Sequence, residues 1–230
     1  MPPRALEPAG VALVDKPAGP SSFAVVAQIR RVTRARTGHA GTLDPFATGL
    51  LLLLSGYSTK LTPKLVGLDK RYLTEIDLRS RTSTGDPEGD VVESLEPPDE
   101  HELEQRLALL RGEIELPIPA ASAVKIGGER AYALARRGVE VEMPLRRSTV
   151  YSLDLVGYTG ETVTLDMRVS SGTYVRAIAH ALGGHCSTLR RTAVGPFDVA
   201  DAVTPEAFLP GSLLAEDIVL ERVDRHRGSE

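Results

Sequence analysis

A single cysteine, Cys186, is all the thiol chemistry in this 230-residue chain. It excludes an internal disulfide and any cysteine-based zinc cluster, and it fits a reducing compartment. No apolar run approaches the roughly 18 residues that a membrane-spanning helix needs. The start, Met1-Pro2-Pro3-Arg4, has none of the apolar stretch that opens a secretory signal. A cytoplasmic protein without a membrane partner is expected. Neither G-x-x-x-x-G-K-[ST] nor G-x-G-x-x-G stands between a strand and a helix, which argues against a nucleotide cofactor. There is no internal repeat and no low-complexity segment. His180, His185 and Cys186 lie close in sequence, but no fourth ligand accompanies them, so no metal is expected.

An overall positive charge is missing too. The net charge is −4, which by itself argues against a nucleic-acid partner. The distribution says more. Residues 1–80 carry 11 basic and 6 acidic side chains, residues 81–120 carry 3 and 11, residues 121–195 carry 10 and 6, and residues 196–230 carry 3 and 8. Two basic blocks alternate with two acidic ones. Brought together, the basic blocks would form a positive surface that the total conceals. Acidic segments that merely solvate outer helices would give the same pattern.

What the chain does have is one dense stretch, Gly38-His39-Ala40-Gly41-Thr42-Leu43-Asp44-Pro45-Phe46-Ala47-Thr48-Gly49, running into the apolar segment Leu50 to Leu54. Glycine supplies backbone conformations that other residues resist, and proline holds its predecessor extended. The stretch reads as a loop, with Asp44 near its tip, leading into a buried strand. A shaped loop holding one carboxylate beside a sheet is a place for chemistry. A turn-initiating aspartate and an ordinary loop histidine fit the same spacing.

The rest of the chain alternates strands and helices without a regular βαβ rhythm. Val11 to Val14 reads as a strand, followed by a turn through Pro20. Ser21 or Ser22 caps a helix that presents Phe23, Val26 and Ile29 and ends in Arg30, Arg31, Arg34 and Arg36. Four cations exceed what a helix C-terminus needs, and they are candidates for contacts to phosphate. Ser58 is expected to cap a second helix. Lys70 to Leu78 has strand character with Tyr72, Thr74, Ile76 and Leu78 on one face, and residues 79–90 read as a polar loop. Asp99 and Glu102 start a helix with a stripe of Leu103, Leu107 and Leu110.

Residues 117–147 form a basic excursion with Lys125, Arg130, Arg136 and Arg137, where a short helix over 130–137 stops at Gly138. A solvated hairpin would look alike. Ser148 to Gly157 and Glu161 to Ser170 read as a hairpin. A helix through Ala177 and Leu182 follows, then a last strand from Leu189 to Gly195, a helix start at Thr204-Pro205-Glu206, and a frayed tail from Asp224. The pattern implies an α+β fold with a mixed, mainly antiparallel sheet flanked by helices.

Leu13-Val14-Asp15-Lys16-Pro17-Ala18-Gly19, Gly38 to Lys60, Lys70-Arg71-Tyr72, Ser171-Gly172-Thr173-Tyr174-Val175-Arg176 and Leu189-Arg190-Arg191 stand in an order and spacing that resembles the TruB-type tRNA pseudouridine synthases. The resemblance runs from about residue 10 to about residue 220. It implies the pseudouridine synthase fold with a catalytic cleft and an RNA-gripping thumb at about 117–147. It also implies isomerisation of uridine to pseudouridine at position 55, in the T-loop of tRNA, with neither cofactor nor metal. Residues 1–230 would form one catalytic domain acting as a monomer, without an obligate protein partner. Bacterial members commonly add a C-terminal RNA-binding domain of PUA type, and Glu230 stands about where that domain would begin, so the expectation is a catalytic part without it.

Residue by residue, the resemblance makes Asp44 the catalytic aspartate and Arg176 the arginine that pairs with it. Tyr72 becomes the aromatic that stacks on the target base, its hydroxyl a candidate for taking the C5 proton. Tyr174 supports the cleft, Leu189 forms an apolar wall, His39 helps hold the rearranged RNA loop, and Lys16 belongs to the cleft edge. Gly41 and Gly49 would let a ribose come close. The target base must be extruded from the folded loop. Without the resemblance, Tyr72 and Tyr174 read more readily as ordinary strand and helix-start aromatics, and Arg176 could pair with any surface acid. A non-catalytic module that binds tRNA and assists its folding is the competing function, and a guide-RNA-dependent rRNA synthase is a more distant one.

Overall fold

The computed structural model describes residues 8–228 except 123, 132, 133, 135, 136, 138 and 140. The chain forms two compact units, residues 1–72 with 190–230, and residues 73–189. The first unit contains β1 (Gly10–Lys16), α1 (Ser22–Thr33), β2 (Thr37–His39), β3 (Thr48–Ser55), a 3-10 turn (Gly56–Leu61) and α2 (Thr62–Val66). Along β4 (Lys70–Asp77) the chain passes into the second unit. There it forms β5 (Ser80–Thr82), β6 (Val91–Ser94), α3 (Glu100–Leu109), β7 (Gly112–Pro117), β8 (Lys125–Ile126), β9 (Glu129–Arg130), β10 (Leu145–Tyr158), β11 (Thr162–Val169) and α4 (Val175–Leu182). It returns along β12 (His185–Val194) and closes with β13 (Phe197–Asp198) and α5 (Glu216–Gly228).

In the first unit β3 is central. It pairs antiparallel with β1, Leu13 opposite Leu52, and parallel with β12, Arg191 opposite Gly49. A strand covered on both faces needs no polar side, which is why Leu50 to Leu54 run without interruption. Leu50, Leu52 and Leu54 pack with Val11, Leu13, Leu65, Val219 and Val223. Leu51 and Leu53 point to the opposite face, and α1 packs against β2 and β3. The free edge of β1 is covered by hydrogen bonds from Val11 to Leu214 and from Asp15 to Val203, which removes an open strand edge.

In the second unit the strand order is β12, β4, β11, β10, β7. β10 pairs antiparallel with both β11 and β7. Residues 118–144 leave the sheet after β7 and rejoin it at β10, closed at the base by the Ile118 N–H to Pro144 carbonyl bond of 3.0 Å. Within this excursion β8 and β9 pair across Gly127-Gly128, both with positive φ, the conformation a two-residue hairpin turn requires. The sheet is thus mixed and mainly antiparallel, as expected, and Tyr72, Thr74, Ile76 and Leu78 are all buried on one face.

Several local expectations change. Gly38 and His39 belong to a short strand paired with β3, not to the loop. Ser21 caps α1, accepting from the Ala24 N–H, but Phe23 lies off the buried stripe, and small Ser22 takes the inward position instead. Ser58 caps nothing; its hydroxyl is buried in the 3-10 turn, and α2 begins at Thr62 with Pro63 in its first turn. β5 and β6 bracket the polar loop at 83–90 as a two-stranded ladder, and β7 was unmarked in the sequence. Arg130 ends a strand rather than opening a helix; Ala131 and Leu134 are helical, and Gly138 lies outside the described residues. β12 starts four residues before Leu189, and β13 follows it. Thr204 does accept a capping bond from the Ala207 N–H at 3.3 Å, yet only a turn forms and the helix waits until Glu216. The tail is helical through Gly228, tied down by Asp224 to Lys64 at 2.9 Å and His226 to Asp69 at 3.0 Å.

Gly49 has a role other than ribose access. Its φ is +102°, and a Cβ there would lie 2.2 Å from the Arg191 carbonyl oxygen and 2.7 Å from the Arg191 nitrogen. Relief would require parting β3 from β12. Gly49→Ala is expected to destabilise the protein by about 3 kcal/mol or more. Gly157→Ala, where a Cβ meets nothing within 4 Å, should cost less than about 1 kcal/mol. Urea denaturation of both variants measures the contrast, and equal midpoints would refute it.

Candidate active site

The loop of Asp44 is held by its backbone. Lys16, with no exposed surface, donates from Nζ to the carbonyl oxygens of Ala47 at 2.7 Å, Pro17 at 2.8 Å and Pro45 at 3.0 Å. The Ser22 hydroxyl accepts from the Leu43 N–H and donates to the Leu43 carbonyl, both at 2.9 Å. Gly19 N–H adds a bond to the Pro45 carbonyl at 2.9 Å. From the opposite side Arg191, only 1% exposed, donates Nε to Leu50 O at 2.7 Å, Nη2 to Gly41 O at 3.0 Å and Nη1 to Thr42 O at 3.5 Å. Ala40, Leu43 and Ala47 are buried, while Asp44 keeps partial access to solvent. The result is a carboxylate on an immobilised backbone, equipped to act as nucleophile or base.

Burial places cations close together here. Lys70 Nζ donates to the Val66 carbonyl at 2.6 Å and to that of Leu68. Burial first, and the Arg191 charge second, push its pKa down to about 8, with Asp69 opposing. The same two causes, burial and then Arg191, hold His39 below the usual imidazole range, so the ring is neutral at pH 7. His39 meets Phe23 edge-on, ring centroids 5.1 Å apart, and its Nδ1 is buried without a hydrogen-bond partner. Asp15 and Arg190 form a bidentate pair at 2.8 and 3.1 Å.

In the second unit Arg176 stands in the first turn of α4, buried. It donates Nη1 to the Thr84 carbonyl at 2.7 Å and Nη2 to the Ala121 carbonyl at 3.0 Å, and lies 3.4 Å from the buried Asp86 carboxylate. Asp86 in turn accepts from the Thr84 hydroxyl at 2.5 Å and the Glu88 N–H at 3.1 Å. A guanidinium with these partners keeps both charge and orientation. It borders a mostly apolar cleft of about 310 Å³ with Gly85, Leu116, Ile118 and His180. Burial, then Arg81, lowers the His180 pKa.

Of the other candidates, Tyr72 is buried on β4 and Leu189 on β12, and Tyr174 is half-buried at the N-cap of α4. Arg30, Arg31, Arg34 and Arg36 are exposed, as are Lys125, Arg130 and Arg137. Arg137 is paired with Glu129 at 2.5 Å; Arg136 lies outside the described residues. Among the described residues no three His, Cys, Asp or Glu side chains group closely enough to hold a metal ion. Sequence reasoning missed Ser22 as a loop anchor, Arg191 as its buried clamp, and Asp86. The last had a signal: Thr84-Gly85-Asp86-Pro87 repeats the aspartate-before-proline feature that singled out Asp44.

The depressed Lys70 makes a pH prediction. An unfolded lysine titrates near 10.5 and the folded one near 8. Between these values the unfolded chain binds more protons, so raising the pH across the window adds stability to the folded state. Lys70→Met keeps most of the length, removes the charge and should abolish that gain. Urea unfolding of both proteins at the two ends of the window measures it; an identical pH dependence would contradict it.

Residues 30–175 match the model of the TruB family pseudouridylate synthase, N-terminal domain. Among curated proteins, a tRNA pseudouridine synthase B of Azoarcus sp. (strain BH72) is 41% identical over 94% of this chain and 74% of its own length. The protein of the same name from Leifsonia xyli subsp. xyli is 42% identical over 93% of this chain and 78% of its own. A solved structure, of a Cbf5-Nop10-Gar1 complex, matches with a TM-score of 0.68 at 28% identity, over 94% of this chain and 59% of that one. The architecture is the pseudouridine synthase fold, and the chain belongs to the TruB family of pseudouridylate synthases.

Proposed function

We propose that this protein isomerises uridine to pseudouridine in the T-loop of tRNA, at position 55, with Asp44 as the reacting carboxylate. The observation behind it is the clamp of Lys16, Ser22 and Arg191 on the Asp44 loop, in a chain whose relatives are named tRNA pseudouridine synthase B. The chemistry is redox-neutral and atom-neutral. The N1–C1′ bond breaks, the uracil turns, a C5–C1′ bond forms, and the C5 proton leaves while N1 gains one. A carboxylate serves as nucleophile at C1′ or as base at the sugar. A fixed backbone keeps it from spending rate on reorganisation.

In this reading Tyr72 stacks on the target uracil and its hydroxyl takes the C5 proton. Arg176 supplies a fixed positive charge to the same reaction, Tyr174 and Leu189 shape the pocket, and Lys16 positions the Asp44 loop. His39 supports the rearranged RNA loop, where stacking on aromatic rings recovers part of the unstacking cost. The exposed Arg30, Arg31, Arg34 and Arg36 take RNA phosphates, and the 118–144 excursion, with Lys125 and Arg130, serves as the RNA-gripping thumb. The enzyme acts as a cytoplasmic monomer without cofactor; none of its described helices is long and apolar enough to cross a membrane.

Asp44→Asn should reduce pseudouridine formation in an unmodified T stem-loop to the level without enzyme, while binding stays near that of the wild type. Quantifying pseudouridine in the recovered RNA beside an affinity measurement tests both halves. A wild-type protein that binds the stem-loop and never makes product would overturn the enzymatic reading in favour of a binding module. Affinity should fall steeply with salt; salt-insensitive binding would remove the arginines from the interface.

A further inference from the structure

On the first unit several large apolar side chains face water, Phe23, Leu209 and Tyr57 foremost among the described residues. Phe23, in the first turn of α1, is 70% exposed, although burying such a ring is worth about 2 kcal/mol. Its neighbour is His39, set edge-on. With Val26, Ala27, Arg30 and Thr37 the two rings line an open groove of about 480 Å³, within the range of small-ligand sites. The side of the groove formed by Val26 and the rings is apolar, while Arg30, two helical turns from Phe23, places a cation at its border.

The charge around it is one-sided. Arg30, Arg31, Arg34 and Arg36 are all exposed, and none forms an ion pair among the described residues. The Glu206 carboxylate reaches α1 but accepts from Gln28 at 3.4 Å and forms no ion pair with these arginines. Apolar rings bordered by unanswered guanidinium groups suit an occupant with a flat face and a phosphate. An unpaired nucleotide has both; base stacking on aromatics with cations along the backbone is the usual means of holding single strands. A neutral His39 presents an uncharged ring to such a base. Asp44 does not line this groove, so its occupant is not the reacting uridine.

We infer that Phe23 and Arg30 form a second nucleotide subsite, in which an unpaired base of the substrate RNA stacks on Phe23 beside His39 and its phosphate meets Arg30. The inference rests on the RNA substrate proposed above, and it assigns Phe23 a substrate-positioning role that the family resemblance did not point to. Extruding the target uridine breaks the stack of the loop, and a displaced neighbour needs a new surface to cover it.

The test is affinity for an unmodified T stem-loop, measured in an Asp44→Asn background so that turnover does not intervene. Phe23→Ala is expected to weaken binding roughly 10-fold, within what one stacked base contributes, and Phe23→Tyr to restore it. Replacing the loop nucleotides one at a time by abasic residues should identify one position, other than the target uridine, at which Phe23→Ala no longer matters. Arg30→Gln should lower the dependence of affinity on salt by about one phosphate contact. Unchanged affinity in Phe23→Ala, or a loss that persists with every abasic RNA, would overturn the subsite. Exposure makes the variant safe for folding, and an unaltered melting temperature checks it. A wild type that makes no pseudouridine would overturn the catalytic reading alone, because these comparisons read binding.

Discussion

The first unit depends on a guanidinium kept out of water. Arg191 has no carboxylate partner among the described residues; it is satisfied by the carbonyl oxygens of Leu50, Gly41 and Thr42. Burying a charge this way is expensive unless its nitrogens find acceptors, and here each of the three has one. That cost is recovered only if the loop keeps its shape, because each carbonyl lost strands a donor. Lys16 repeats the arrangement on the other side with three more carbonyls. Gly49 belongs to the same device, since the close approach of β12 that brings Arg191 inward leaves no room for a side chain. The field of Arg191 then reaches outward, to Lys70 and His39.

The second unit solves a related problem differently. Arg176 is buried with an acid, Asp86, and with two carbonyls drawn from separate segments, Thr84 and Ala121. A charge pair of this kind fixes a direction as well as a charge. Polar partners from two chain segments, 84–86 and 121, make the orientation of Arg176 a property of the local fold rather than of its own rotamer. Both units therefore use charged groups as internal fasteners, and in both the fastened element is one that the family resemblance associates with catalysis.

The sequence was informative wherever a feature is local. β3 announced itself by an unbroken run of leucines, the β10–β11 hairpin by alternation, and α3 by Asp99 followed by a leucine stripe. Asp44 stood out because glycine and proline have backbone meanings that need no tertiary context. The failures share a cause. β7 buries chiefly Ile114 and is a strand only because β10 pairs with it. Thr204 has correct capping chemistry, but no amphipathic segment follows it. Arg191 carried no local sign of burial, because its partners lie some 140 to 150 residues away. Ser22 and Phe23 were exchanged, since periodicity favours the larger apolar residue and cannot know that a hydroxyl is required inside for Leu43.

The end of α1 shows where foldedness yields to another demand. Arg34 takes the left-handed C-cap conformation, φ 52° and ψ 25°, a place where glycine is at home and a residue with a Cβ is strained. An arginine there costs about 1 kcal/mol relative to glycine. Selection for stability alone would remove it. Under the RNA-binding role proposed for Arg34, the helix end trades thermal robustness against grip on a polyanion, and hardening the protein by consensus helix capping at this residue would carry a functional penalty.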